Sequence, residues 1–114
     1  MTEQTAQVSM SIILNAGDAR LALKEAVTFT LNLEYDKAEE KMALANQKIV
    51  VAHQIQTDAI QSEVTGESKE YSVLFAHAQD TLMTVYSEIY QTKNLIAVFK
   101  QLNERIERLE KSHG

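Results

Sequence analysis

The chain contains no cysteine and no proline, and its only glycines are Gly17, Gly66 and Gly114. Without cysteine there is no disulfide framework, no thiolate metal site and no cysteine nucleophile. Strand-and-turn folds need frequent breakers, so 114 residues with so few of them predict a small number of long helices. Clustered Lys and Arg are also missing. The formal net charge is −5, which disfavours a nucleic-acid partner, because a phosphate backbone is bound through such clusters. No G-x-x-x-x-G-K loop occurs, so nothing in the sequence binds ATP by that route. The longest apolar runs, such as "IVVA" (Ile49 to Ala52), are far too short to span a bilayer. Met1-Thr-Glu-Gln-Thr has no basic region ahead of an apolar stretch, unlike a secretory signal. A cytoplasmic protein with no membrane insertion is the expectation.

What is present is ordinary for a soluble domain: 45% hydrophobic and 24% charged residues. The length suits one domain, residues 1–114, with its own core. The first helix is expected over about 4–31, because Val8, Ile12, Ala16, Ala19, Leu23 and Ala26 recur at spacings of four and three. Gly17 interrupts that helix at a cost of about 1 kcal/mol relative to alanine, and close approach of another backbone is its expected compensation. A role for "NAGDAR" (Asn15 to Arg20) in a site is the weaker reading. The second helix is expected over 36–65, with Asp36 and Glu39 as a capping box and Ala38, Met42, Ala45, Ile49, Ala52 and Ala59 on one face. Gln56 stands in an apolar position of that face. Gly66 suits a C-terminal cap, and Ser68 is the expected N-cap of a third helix over 69–111.

The third helix carries two stripes. Ala78, Leu82, Val85, Ile89, Thr92, Ile96 and Phe99 form one, and Ala76, Asp80, Met83, Ser87, Tyr90, Asn94 and Ala97 form the other. They are offset by two residues, about 200° around the helix. One stripe can pack on the first two helices. The other has nothing to cover it in a three-helix monomer and reads as a subunit interface; the plainer reading is a solvated face. Beyond Phe99 the seam runs on through Leu102, Ile106 and Leu109, with Glu104 and Arg108 as an i,i+4 pair.

Chemistry has three histidines to draw on. His113 lies in a tail expected to be disordered, and His53, beside Ala52, reads as a hydrogen-bonded core or seam histidine. His77, in "FAHAQDTLM", sits between the two stripes, about 100° from either, where it is partly exposed between small neighbours. A neutral imidazole there can act as a nucleophile. Asp80 and Thr81 follow one turn later. Were the second stripe an interface with cyclic symmetry, copies of Asp80 would converge and repel. A hard divalent cation such as Mg²⁺ would relieve that, since three carboxylates and waters suit octahedral coordination.

Three segments, "NAGDAR", "AHQIQT" followed by "IQSEVTGE", and "HAQDTLM", occur in the order and spacing of a known family. With them the chain resembles the IIA component of the lactose/cellobiose (and diacetylchitobiose) class of the bacterial phosphoenolpyruvate-dependent sugar phosphotransferase system. The resemblance implies an all-α, antiparallel three-helix bundle that assembles as a homotrimer into a nine-helix bundle. It implies that His77 accepts a phosphoryl group from the carrier protein HPr and passes it to a cysteine of the IIB component, which serves the membrane-embedded IIC component. It places Gln79 and Thr81 beside the phosphoryl site, and Asp80 at the trimer axis as a possible metal ligand. Two departures stand out. The family commonly has a second histidine where this chain has Thr81, and Gly-Asp at the first turn where it has "LEYD" (Leu33 to Asp36). Two rival readings are a non-catalytic helical adaptor and a histidine-phosphotransfer domain of two-component signalling. The latter favours a basic residue at the position of Asp80.

Overall fold

A computed structural model describes residues 3–65 and 72–113. It contains three helices: α1 (Glu3–Leu31), α2 (Tyr35–Thr65) and α3 (Val73–His113). Chain direction alternates, so α1 and α3 run parallel and α2 antiparallel to both. Arg20 Nε of α1 donates to Glu88 Oε1 of α3 at 2.7 Å, which sets the α1–α3 register, and Asn103 Nδ2 of α3 donates to the Tyr35 hydroxyl at the start of α2 at 3.2 Å. On the α2 side, Lys41 pairs with Glu25 and Lys48 with Asp18.

The expected core faces are buried over most of their length, with Thr92, Ile96 and Phe99 at the far end of the α3 stripe only half-buried. Ile12, Ala16, Ala19, Leu23 and Ala26 of α1, Ala38, Ala45, Ile49 and Ala52 of α2, and Ala78, Leu82, Val85 and Ile89 of α3 are buried. Val8, Met42 and Ala59 are half-buried against them. The many alanines let the helix axes approach closely, with the few large side chains filling what remains. The buried hydroxyls need partners and find them within their own helix: Ser9 donates to the Thr5 carbonyl and Thr30 to the Ala26 carbonyl. Gln56 Oε1 is buried with no partner among the described residues.

The first turn differs from its expected chemistry. Leu33 has φ 62°, a left-handed conformation that costs a non-glycine residue about 1–2 kcal/mol. Glu34 N–H bonds to the Phe29 carbonyl and Leu33 N–H to the Thr30 carbonyl, the pair of bonds that closes a Schellman cap. The Glu34 carbonyl then accepts from Ala38 N–H, which makes Glu34 the N-cap of α2. Asp36 therefore lies inside the helix rather than capping it, and the capping box with Glu39 does not form. Asp36 still favours the helix, as a negative charge in its first turn.

Among the described residues of one chain, a Cβ built on Gly17 would contact no atom within 4 Å, so the backbone approach expected there is not made within the chain. Other expectations need correcting. α3 begins at Val73, where Ser72 Oγ accepts the N–H of Phe75 at 3.1 Å and so acts as the N-cap. The proposed caps at Gly66 and Ser68 lie outside the described residues. The C-terminal tail is helical through His113, and Arg108 contacts the Glu104 carbonyl rather than its carboxylate. Among the described residues no helix is long and apolar enough to cross a membrane.

Candidate functional site

His77 sits in the second turn of α3, held there by local chemistry. Ser72 fixes the start of the helix, and buried Phe75 and Ala78 fix its rotation. With those two turned inward, the His77 side chain is exposed at the edge between the core face and the second stripe. Ala76 and Ala78 flank it with little bulk, so a partner can approach the imidazole. Gln79 and Thr81 are half-buried and Asp80 is exposed. Side chains on a helix lean towards its N-terminus, so the imidazole leans towards the first turn of α3.

The Thr81 hydroxyl is engaged. It donates to the His77 carbonyl at 2.9 Å, a bond back along the helix. With its proton committed, the oxygen can only accept. A threonine therefore offers this site a fixed acceptor, where a second histidine would offer an ionisable ring.

His53 is exposed on α2 rather than in the core, because Ala52 and Gln56 take the inward positions next to it. His113 is exposed at the end of α3, far from His77. The structure thus leaves His77, Gln79, Asp80 and Thr81 together on two turns of one helix. Among the described residues of a single chain, no three His, Asp or Glu side chains are grouped so as to hold a metal ion.

An open groove between α1 and α3 has no signal in the sequence. Its volume is about 520 Å³, and Arg20, Leu23, Lys24, Val27, Glu88 and Gln91 are among its lining residues. Glu88 is eleven residues beyond His77, roughly 16 Å along the helix at 1.5 Å per residue. The groove is therefore a separate feature from the turn that carries His77.

Comparison with known proteins places the fold and its sequence together. The family described as "PTS system, Lactose/Cellobiose specific IIA subunit" matches residues 7–100. The lactose-specific EIIA component of Streptococcus mutans is 39% identical over 99 residues, covering 87% of this chain and 95% of the relative. The lichenan-specific IIA component of Bacillus subtilis is 30% identical over 105 residues, covering 92% and 96%. Among solved structures, the cellobiose-specific enzyme IIA of Bacillus anthracis superposes with a TM-score of 0.83 at 38% identity, covering 91% of this chain and 95% of that one. The IIA(chitobiose)–HPr complex of Escherichia coli gives 0.75 at 25% identity, covering 90% and 99%. A match over most of a three-helix chain, in sequence and in shape, settles the family. The chain belongs to the lactose/cellobiose-specific IIA subunits of the sugar phosphotransferase system, and is a phosphocarrier component of that system.

Proposed function

We propose that His77 is the phosphoryl carrier. The observation that carries this reading is its position: it is the one histidine inside "HAQDTLM" and it is exposed between two alanines on a rigid helix. Neutral His77 attacks through Nε2 the phosphoryl group of phosphohistidine on HPr. The Nε2–P bond forms as the P–N bond on HPr breaks, and the HPr imidazole leaves. A IIB thiolate then attacks the same phosphorus, an S–P bond forms, and His77 leaves as neutral imidazole. Such transfers depend mainly on positioning and electrostatics. The side chain leans towards the positive end of α3, which favours a phosphoryl dianion. The Thr81 hydroxyl, one turn the other way along the helix, has its proton turned to the His77 carbonyl. Gln79 supplies an amide beside the site.

The finer assignments follow the same reading. Copies of the chain assemble as a homotrimer through the second stripe of α3, which bring three Asp80 carboxylates together. These hard oxygen donors fit Mg²⁺, and the ion would neutralise their mutual repulsion. IIB, and through it IIC, are the downstream partners, and the protein works in the cytoplasm. The relatives name lactose, lichenan and oligo-β-mannoside at similar identities, so identity to them selects no sugar; the chemistry at His77 is the same for each.

Incubation with phosphoenolpyruvate, the general phosphotransferase enzymes and HPr tests the reading. Wild type should take up acid-labile phosphate, and His77→Ala should take up none while keeping its helix content. Phosphate on the alanine variant would reject His77 as carrier. No uptake by wild type would favour the non-catalytic adaptor.

A further inference from the structure

Gln56 stands where the spacing of α2 asks for an apolar side chain, and its amide oxygen is buried with no hydrogen-bond partner among the described residues. Such an acceptor has lost its water and found no replacement, which weighs on the closed structure by roughly tenfold or more. The buried hydroxyls of Ser9 and Thr30 carry no such cost, because each donates to a carbonyl of its own helix. Methionine would match the length of Gln56 and need no partner. A core position that breaks the local rule without a packing gain points to a use.

The register of the bundle says where that use lies. The Lys48–Asp18 and Lys41–Glu25 pairs set Gln56 level with Met10 of α1, and the Arg20–Glu88 bond sets Met10 level with Ala78 of α3. Gln56 is therefore in the layer of His77. At that height the core faces of α1 and α3 present small residues, Ser9 and Ala78, and Val8 and Ala59 nearer the end are only half-buried. The other half of the bundle is built differently. Leu23, Ala26, Ala45, Ile49, Val85 and Ile89 are buried. Asp18–Lys48, Arg20–Glu88, Glu25–Lys41 and Tyr35–Asn103 tie the helices together from the middle onwards. Because α3 starts at Val73, the turn that carries His77 is held in the core by Phe75 and Ala78 before Leu82 is reached.

Proteins open first where local stability is lowest, and here that is the end with the unsatisfied amide. Opening returns water to the Gln56 oxygen and frees the backbone under His77. His77 meets a nitrogen of HPr in one transfer and a sulfur of IIB in the next, and a misplacement of about 1 Å costs on the order of a hundredfold in rate.

We propose that Gln56 is a built-in weak point: it lets the His77 end of the bundle open and reclose as a unit while the other end stays folded, so that one imidazole adjusts to two partners of unlike geometry. Gln56 acts through the backbone of the His77 turn and is a positioning residue. Its use rests on the phosphocarrier reading; the opening itself does not.

Amide hydrogen exchange of the full chain under native conditions tests it, with Gln56→Met and Gln54→Met beside wild type. In wild type, amides of residues 9–16, 52–59 and 76–82 should exchange at least about tenfold faster than those of 19–26, 38–49 and 85–92, and with a weaker dependence on urea. Gln56→Met should slow the first group by about tenfold. It should also slow phosphoryl transfer from HPr or onward to the IIB thiolate by at least about threefold, while final uptake on His77 stays complete. Gln54→Met, at an exposed amide, is the control and should change neither readout by more than about twofold. First-group amides that exchange only together with the rest of the chain would overturn the weak point, as would a Gln56→Met variant that exchanges like wild type or faster. Slower exchange with wild-type rates at both transfers would overturn its use. Wild type that takes up no phosphate would overturn the phosphocarrier reading and that use with it, while the exchange data still decide whether the end opens.

Discussion

The two faces of α3 share a four-three spacing and differ in everything else. On one, Ala78, Leu82, Val85 and Ile89 are at most 8% exposed. On the other, Met83 and Tyr90 are both 69% exposed, among Asp80, Ser87 and Asn94. Period tells which residues share a face. Composition and burial tell what the face meets. A purely aliphatic face with small residues packs inside one chain, whereas a face of aromatics, amides and a carboxylate makes contacts that require direction. His77 lies on the boundary, where the core fixes its backbone and a partner can still reach its ring.

Substitution at neighbouring positions should break the two faces apart by the widest margin. Leu82→Ala removes a buried side chain and leaves a cavity, with an expected cost of about 2–5 kcal/mol. Met83→Ala, one residue on and exposed, should change the stability of the dissociated protomer by no more than about 0.5 kcal/mol. Urea unfolding at low protein concentration reads both. Equal losses would mean that the second face is packed within the chain after all.

Asp80 sharpens the comparison on the polar face. Asp80→Leu deletes the carboxylate without shortening the helix. If, as proposed, copies of the chain hold a divalent ion on their Asp80 carboxylates, ion content measured after dialysis against Mg²⁺ should fall to background in the variant, while the sedimenting mass stays that of wild type because the repulsion goes with the ligands. A variant that bound as much ion as wild type would reject Asp80 as a ligand.

Much of this was legible in the sequence for physical reasons. Helical period fixes faces, so Ile12, Ala16, Leu82 and Val85 could be placed in the core before any coordinates. His77 could be placed at a boundary because its neighbours in the stripes are one residue away on each side. The failures share a cause too. Gly17, Asp36 and His53 were read from residue preference, and preference does not say what lies opposite a residue in space. Among the described residues of its own chain Gly17 meets no atom within 4 Å, Asp36 loses the cap to the Glu34 carbonyl, and His53 gives way to Ala52 and Gln56. The groove beside Arg20 and Glu88 was invisible because it depends on the register of two helices far apart in sequence. The helix beyond Lys100 was readable as amphipathic. Its Leu102, Ile106 and Leu109 remain more than half exposed and extend past the family match, which stops at residue 100.

The smallest effect concerns the turn, where side-chain preference and backbone geometry disagree most openly. Leu33 holds φ 62° while its side chain is 51% exposed, so it buries little in exchange for its strain. Leu33→Gly relieves about 1–2 kcal/mol of left-handed strain and gives back roughly 0.5–1 kcal/mol through the greater freedom of glycine in the unfolded chain. The expected net gain is about 0.5–1 kcal/mol, read as a higher urea midpoint with an unchanged slope. Leu33→Ala is the control that isolates the cause. It removes the exposed leucine but keeps a Cβ, hence the strain, and should show no gain. If alanine stabilised as much as glycine, the benefit would come from losing exposed apolar surface. If glycine destabilised, the Leu33 side chain would be contributing to the Schellman turn more than its exposure indicates, and the comparison between spacing and surroundings would have to extend to turns as well as faces.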